Sequence, residues 1–170
     1  SGDDASCLNL YQPRLPRVLG EPEGMIDRGG FAWTGSEADT PEEKQNPWLL
    51  LRRDLGSTPD GRSIVPVVIE KNTALYALHL WGGAGSIYEL PDGRGGTIPM
   101  KVVALLANGI FQGDLLIGED RFLEHFPDAG GYRFFLVQAP PDRTQAAGKA
   151  LEKALAGYGF TAETTGRRLA

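Results

Sequence analysis

The run Ile64-Val65-Pro66-Val67-Val68-Ile69 constrains the fold more than any other feature of the chain. A strand with one wet face alternates apolar and polar residues. This run is apolar and mostly β-branched on both faces, so it requires cover on both sides of a sheet. Pro66 removes one ladder donor, which puts it near an end or an edge of that strand. A chain of 170 residues with 41% hydrophobic side chains can supply the cover. At this size a domain removes roughly 70% of its unfolded surface from water and needs neither a metal nor a disulfide to hold it. Cys7 is the single cysteine, so no internal disulfide can form.

Patterning after this run is sharp. Asn72 is placed to cap a helix over Thr73–Leu80, where Ala74, Leu75 and Leu78 recur at helical spacing until Gly82-Gly83. Ser86–Leu90 alternates, Pro91-Asp92-Gly93-Arg94-Gly95-Gly96 turns, and Thr97–Ala107 returns, which predicts a hairpin. Leu115–Ile117 reads as a short strand. Glu119–Phe126 reads as a helix burying Phe122, Leu123 and Phe126, with its acidic residues in the first turn, where the helix dipole favours them. Tyr132–Gln138 has strand composition. Pro141–Ala156 reads as a helix whose stripe is Ala146, Ala147, Ala150, Leu151, Ala154, Leu155 and Tyr158, ended by Gly157 and Gly159, with Phe160–Glu163 opening a last strand. The order after residue 63 is then β-α-β-β-β-α-β-α-β, which predicts an α+β fold on a mixed sheet rather than a doubly wound parallel one.

Residues 1–62 predict a separate, irregular lobe. Pro13, Pro16, Pro22 and Gly29-Gly30 break any period, leaving short strands around Leu8–Tyr11 and Phe31–Trp33. Thr40-Pro41-Glu42-Glu43 is a capping box with proline at the first helical position. Asn46-Pro47 repeats the start signal for a helix running to about Leu55, ended by Gly56. The turn Pro59-Asp60-Gly61 lies in the best candidate boundary, giving an N-terminal lobe of 1–62 and an α+β core lobe of 63–170.

The chemistry these residues can support is narrow. A net charge of −5 opposes a surface built to neutralise phosphates, so nucleic acid is not an expected partner. The longest apolar run, Val102–Ala107, falls well short of the roughly 20 residues of a membrane span, and no leader pattern opens the chain. Either a cytosolic protein or an extracytoplasmic piece of a membrane protein fits. Gly83-Ala84-Gly85 follows a helix and precedes a strand, the reverse of a dinucleotide fingerprint. His79 and His125 read as half-exposed helix residues rather than bases, and Cys7 as a small buried hydrophobe. With two His and one Cys far apart, no zinc site is expected, and Asp3-Asp4 and Glu119-Asp120 read as a loop pair and a helix start. No catalytic, cofactor or metal residue is therefore assigned. The segment left over is Asn108-Gly109-Ile110-Phe111-Gln112-Gly113. Phe111 either tucks into the core or sits with Ile110 and Gln112 on a partly exposed tip that contacts a partner, an excursion that Gly109 and Gly113 permit and that is the expected arrangement.

Asn46-Pro47-Trp48-Leu49-Leu50-Leu51, Ile64–Ile69 with Asn72-Thr73-Ala74, Val102-Val103-Ala104-Leu105-Leu106 and Ile110-Phe111-Gln112-Gly113 together resemble the large extracytoplasmic domain of FtsX-like permeases, the group that includes MacB-type transporter subunits. The likeness extends through Gly131-Tyr132-Arg133-Phe134-Phe135-Leu136 and Tyr158-Gly159-Phe160, and Gly2–Tyr11 looks like the entry to the same domain. The resemblance implies a MacB-type periplasmic core held between the first two membrane helices of an ABC permease. It also implies no enzymatic activity and no cofactor. The implied partners are the rest of the permease with its cytoplasmic ATPase, and an exported peptide, lipoprotein or periplasmic protein. A small soluble hydrolase or carbohydrate-active enzyme with an acidic cleft is the alternative that composition leaves open.

Overall fold

The computed structural model describes residues 16–107, 109–129, 131–132 and 135–168. The chain runs β1 (Arg17–Glu21), α1 (Glu23–Arg28), β2 (Trp33–Ser36), α2 (Pro41–Gln45), a 3-10 helix (Pro47–Arg52), β3 (Val65–Glu70) and a π-helical turn (Thr73–Ala77). It continues through β4 (Ile87–Pro91), β5 (Thr97–Leu106), β6 (Asp114–Gly118), α3 (Glu119–His125), α4 (Thr144–Ala154), a second 3-10 turn (Ala156–Tyr158) and α5 (Thr165–Arg168). The fold is α+β. Six strands form one mixed sheet in the order β1-β6-β3-β5-β2, with β4 also paired to β5.

β3 is buried at every residue. It runs parallel to β5 and antiparallel to β6, which pairs only with Val68 and Ile69, so Pro66 sits at the start of the strand beyond the β6 ladder. Val65, Val67 and Ile69 point into one core with Ile98, Met100, Val102, Leu115 and Ile117, covered by Leu78, Leu80, Tyr88, Phe122 and Phe126. A bulge in β5 between the partners of Val67 and Val68 shifts the register by one residue, so that Val102 and Leu105 both reach that core. Val102–Leu106 carries no polar residue because both faces of β5 are buried there. Val68 and Leu116 face the other way, and the 3-10 helix, with Trp48, Leu50 and Leu51 buried, contacts β3, β5 and β6.

The N-terminal residues do not make a separate lobe. Arg17–Glu21 pairs with β6, and Trp33–Ser36 with β5, so both belong to the same sheet as β3. Contacts divide the chain between Pro127 and Asp128, and the expected boundary at 62/63 does not coincide with that division. β1 and α1 escape the sequence pattern because their order comes from tertiary partners. Gly20 leaves room for Phe122 of α3, since a Cβ there would lie 2.8 Å from Phe122 Cβ. Asn46 Nδ2 donates to the Ile26 carbonyl at 2.7 Å, and Arg52 bridges Glu23 and Asp27. The capping box at Thr40 forms as read: Thr40 Oγ1 accepts from the Glu43 amide and Glu43 Oε2 from the Thr40 amide. The helix expected from Pro47 to Leu55 is a 3-10 helix that stops at Arg52. The strand expected around Leu8–Tyr11 lies outside the described residues.

From Asp128 on, the order departs from the expected β-α-β. Residues 132 and 135–138 are in no strand, and neither is Phe160–Glu163. Strand composition needs a ladder partner. Phe135 and Val137 are instead more than half exposed, and the Ala162 amide donates to Glu152 Oε1 of α4 rather than to a strand. α4 turns Leu151 and Leu155 toward Phe135, Val137 and Phe160 around a small apolar cleft. No described helix is long and apolar enough to cross a membrane.

The burial pattern separates two residues that local periodicity treats alike. Ile69 is fully buried, whereas Leu123 of α3, expected in the core, is 46% exposed. Ile69→Ala is expected to lower the unfolding free energy by about 2–5 kcal/mol. Leu123→Ala should change it by no more than about 0.5 kcal/mol. Urea titrations followed by tryptophan fluorescence check both, and equal losses would mean that this face of α3 is core.

Candidate functional site

Where β3 ends, the chain places an acid inside the protein. Glu70 is fully buried, as are the apolar residues before it. Its Oε2 accepts from the Thr73 amide at 2.9 Å and from the Thr73 hydroxyl at 3.1 Å, which fixes the start of the following turn. Thr73 Oγ1 in turn accepts from the amide of Gly113, at 2.9 Å. Glu70 Oε1 is buried and has no hydrogen-bond partner among the described residues. The expected helix over Thr73–Leu80 is a π-helical turn closed by the Leu78 amide on the Thr73 carbonyl, at 3.0 Å. π turns recur at functional sites. This one buries Ala74 and packs Leu78 on the core while Tyr76 remains 69% exposed.

Glu70, Asn72, Thr73, Tyr76, Ala77 and Gln112 line an open depression of about 340 Å³. Beyond the turn, His79 adopts φ +55° and is exposed, not helical as expected, and Trp81 is 68% exposed. The Trp81 ring meets Tyr76 edge-on at 6.5 Å and His79 at 6.1 Å. Three adjacent rings therefore stand in water beside the depression.

Of the tip expected to contact a partner, only Gln112 is exposed. Ile110 is 7% and Phe111 1% exposed. The Phe111 ring lies 5.6 Å from Phe31, which packs edge-on against Trp48. Burial thus corrects the reading of Ile110 and Phe111 as surface residues: the segment turns inward, and the aromatic cluster under β2 provides the slot. Gln112 alone reaches the depression. Glu70, Thr73, Tyr76 and Trp81 carry no motif. The available signal was an acid directly after a run apolar on both faces.

At the outer side of the sheet, Arg17 holds Asp114 with two bonds of 2.8 and 2.9 Å across the β1–β6 register. Glu21, at the far end of β1, is buried, and no described residue gives it a cation partner. Burial, and secondarily the charge of Asp114, pushes its carboxyl up to about 7. His125 ends α3, half-buried, with Nε2 unpartnered among the described residues. Among the described residues no three His, Cys, Asp or Glu side chains gather as metal ligands would. Cys7 and Asp3-Asp4 lie outside the described residues. Compared with protein-family models, with curated proteins and with solved structures, the chain matches none.

Two outcomes follow from this geometry. Phe111→Ala should cost about 3–5 kcal/mol in unfolding free energy, the size of a phenyl cavity; a loss below about 0.5 kcal/mol would return Phe111 to the surface. Glu21 gives a pH signature. Between about pH 4.5 and pH 7 the folded state keeps a proton on Glu21 that the unfolded chain releases. The native state therefore binds more protons, and its stability falls as pH rises through that window, by up to about 3 kcal/mol in total. Glu21→Gln should remove this slope in urea titrations at a series of pH values. An unchanged slope would exclude Glu21 as its source.

Proposed function

We propose that the chain is the extracytoplasmic domain of an FtsX-like ABC permease, working through surface contacts rather than through bond-making chemistry. The observation supporting this reading is spatial. Four of the segments that carry the resemblance are scattered over almost seventy residues of sequence, from Asn46 to Gly113, yet they fall within residues 16–127, whereas Gly131–Leu136 and Tyr158–Phe160 belong to the second unit and Gly2–Tyr11 lies outside the described residues. These four are the 3-10 helix, the fully buried β3 with its π turn, the bulged β5 and the inward-folded tip. Exposed aromatics at Tyr76 and Trp81 provide contact chemistry of the kind interfaces use.

Sidedness in the native cell tests the reading. An antibody to the domain should find it in the membrane fraction, and protease added to spheroplasts should digest it while a cytoplasmic marker survives. Recovery in the soluble cytosolic fraction, or protection from external protease, would overturn the proposal.

A further inference from the structure

We propose that the depression at the end of β3 is a receptor for the basic side chain, arginine or lysine, of a protein partner. Glu70 Oε1 is the acceptor and the Tyr76 ring is the platform for the alkyl stem. The argument starts from an oxygen left over. Glu70 is fully buried, its Oε2 already serves two donors from Thr73, and Oε1 has none. Buried acceptors without a partner are rare, and each calls for an explanation. A carboxylate oxygen accepts only, and the donors that bind it best are cationic N–H groups. The depression that Glu70 lines, about 340 Å³, lies at the small end of ligand sites, room for one side chain rather than for a cofactor. A metal is the poorer occupant, because no second and third ligating side chain joins Glu70 among the described residues.

The rim matches the same guest. Tyr76 lines the depression at 69% exposure, with Trp81 edge-on beside it at 6.5 Å, and aromatic faces attract ammonium and guanidinium groups. The net charge of −5 steers basic partners toward the chain. Oε1 is out of contact with solvent, so the proposal requires that binding rearrange the side chains that cover it. The receptor is independent of membrane placement: either can fail while the other stands.

Amide-resolved NMR titration of the ¹⁵N-labelled protein with the peptides acetyl-Gly-Arg-Gly-amide and acetyl-Gly-Lys-Gly-amide, against the neutral citrulline analogue, tests this. Saturating shifts confined to Glu70–Ala77 and Gln112–Gly113 are expected with at least one basic peptide, and binding of citrulline should be weaker by about tenfold or more. Glu70→Gln should weaken the basic peptide by a similar factor. Tyr76→Ala, at an exposed position that leaves folding intact, should weaken it severalfold should Glu70→Gln prove too unstable to titrate. Dispersed or absent shifts, equal response to citrulline, or undiminished binding by Tyr76→Ala together with a folded Glu70→Gln would overturn the proposal, and would assign Oε1 to an internal water.

Discussion

A strand that is dry on both faces is the constraint on which residues 16–127 depend. β3 has no polar side chain until its last residue, so it needs β5 and β6 alongside it and a layer above and below. One layer is α3 with the residues after the π turn, and the other is the 3-10 helix with its aromatic neighbours. Each Å² of apolar surface so covered contributes roughly 25 cal/mol, which is why the connections could become irregular without loss of the sheet. The bulge in β5 shows the same demand at work. It sacrifices one ladder step so that a longer strand keeps its large side chains on the core side of β3.

The candidate site is a by-product of where that strand stops. A buried strand must hand the chain back to water, and here it does so through Glu70, whose carboxylate captures Thr73 and, through the threonine hydroxyl, the Gly113 amide of a turn forty residues away. The π turn and the inward tip are thereby locked to one acid. What is left beside them is an open depression lined by Glu70, Tyr76 and Gln112, with Glu70 Oε1 buried and unengaged among the described residues and the rings of Tyr76 and Trp81 standing in solvent. Structural need explains one oxygen of Glu70, and recognition accounts for the other.

Sequence reading succeeded where local chemistry decides the conformation. The capping box at Thr40, the β4–β5 hairpin around its Gly-rich turn and the all-apolar β3 each carry their instruction within ten residues. It failed where a distant partner decides. Arg17–Glu21 has weak strand composition, and is a strand because β6 lies beside it with Asp114 opposite Arg17. The segment 132–138 has strong strand composition, and its described residues form no strand. Phe111 illustrates the same point at one residue. Two flanking glycines permit an outward tip as readily as an inward one, and only the slot beside Phe31 and Trp48 chooses. Glu70 was legible as an anomaly, an acid closing a buried run, but its partners at positions 73 and 113 were not, since no periodicity links them.

Native-state hydrogen exchange tests most directly whether the sheet around β3 organises the N-terminal residues as well as those after it. Amides of β3, β5 and β6 should be the slowest to exchange, and those of β1 and β2 that bond to β6 and β5 should open in the same cooperative unit, with the same dependence on denaturant. Independent, faster opening of 17–36 while 65–118 remained protected would contradict the account, restoring a separate N-terminal lobe.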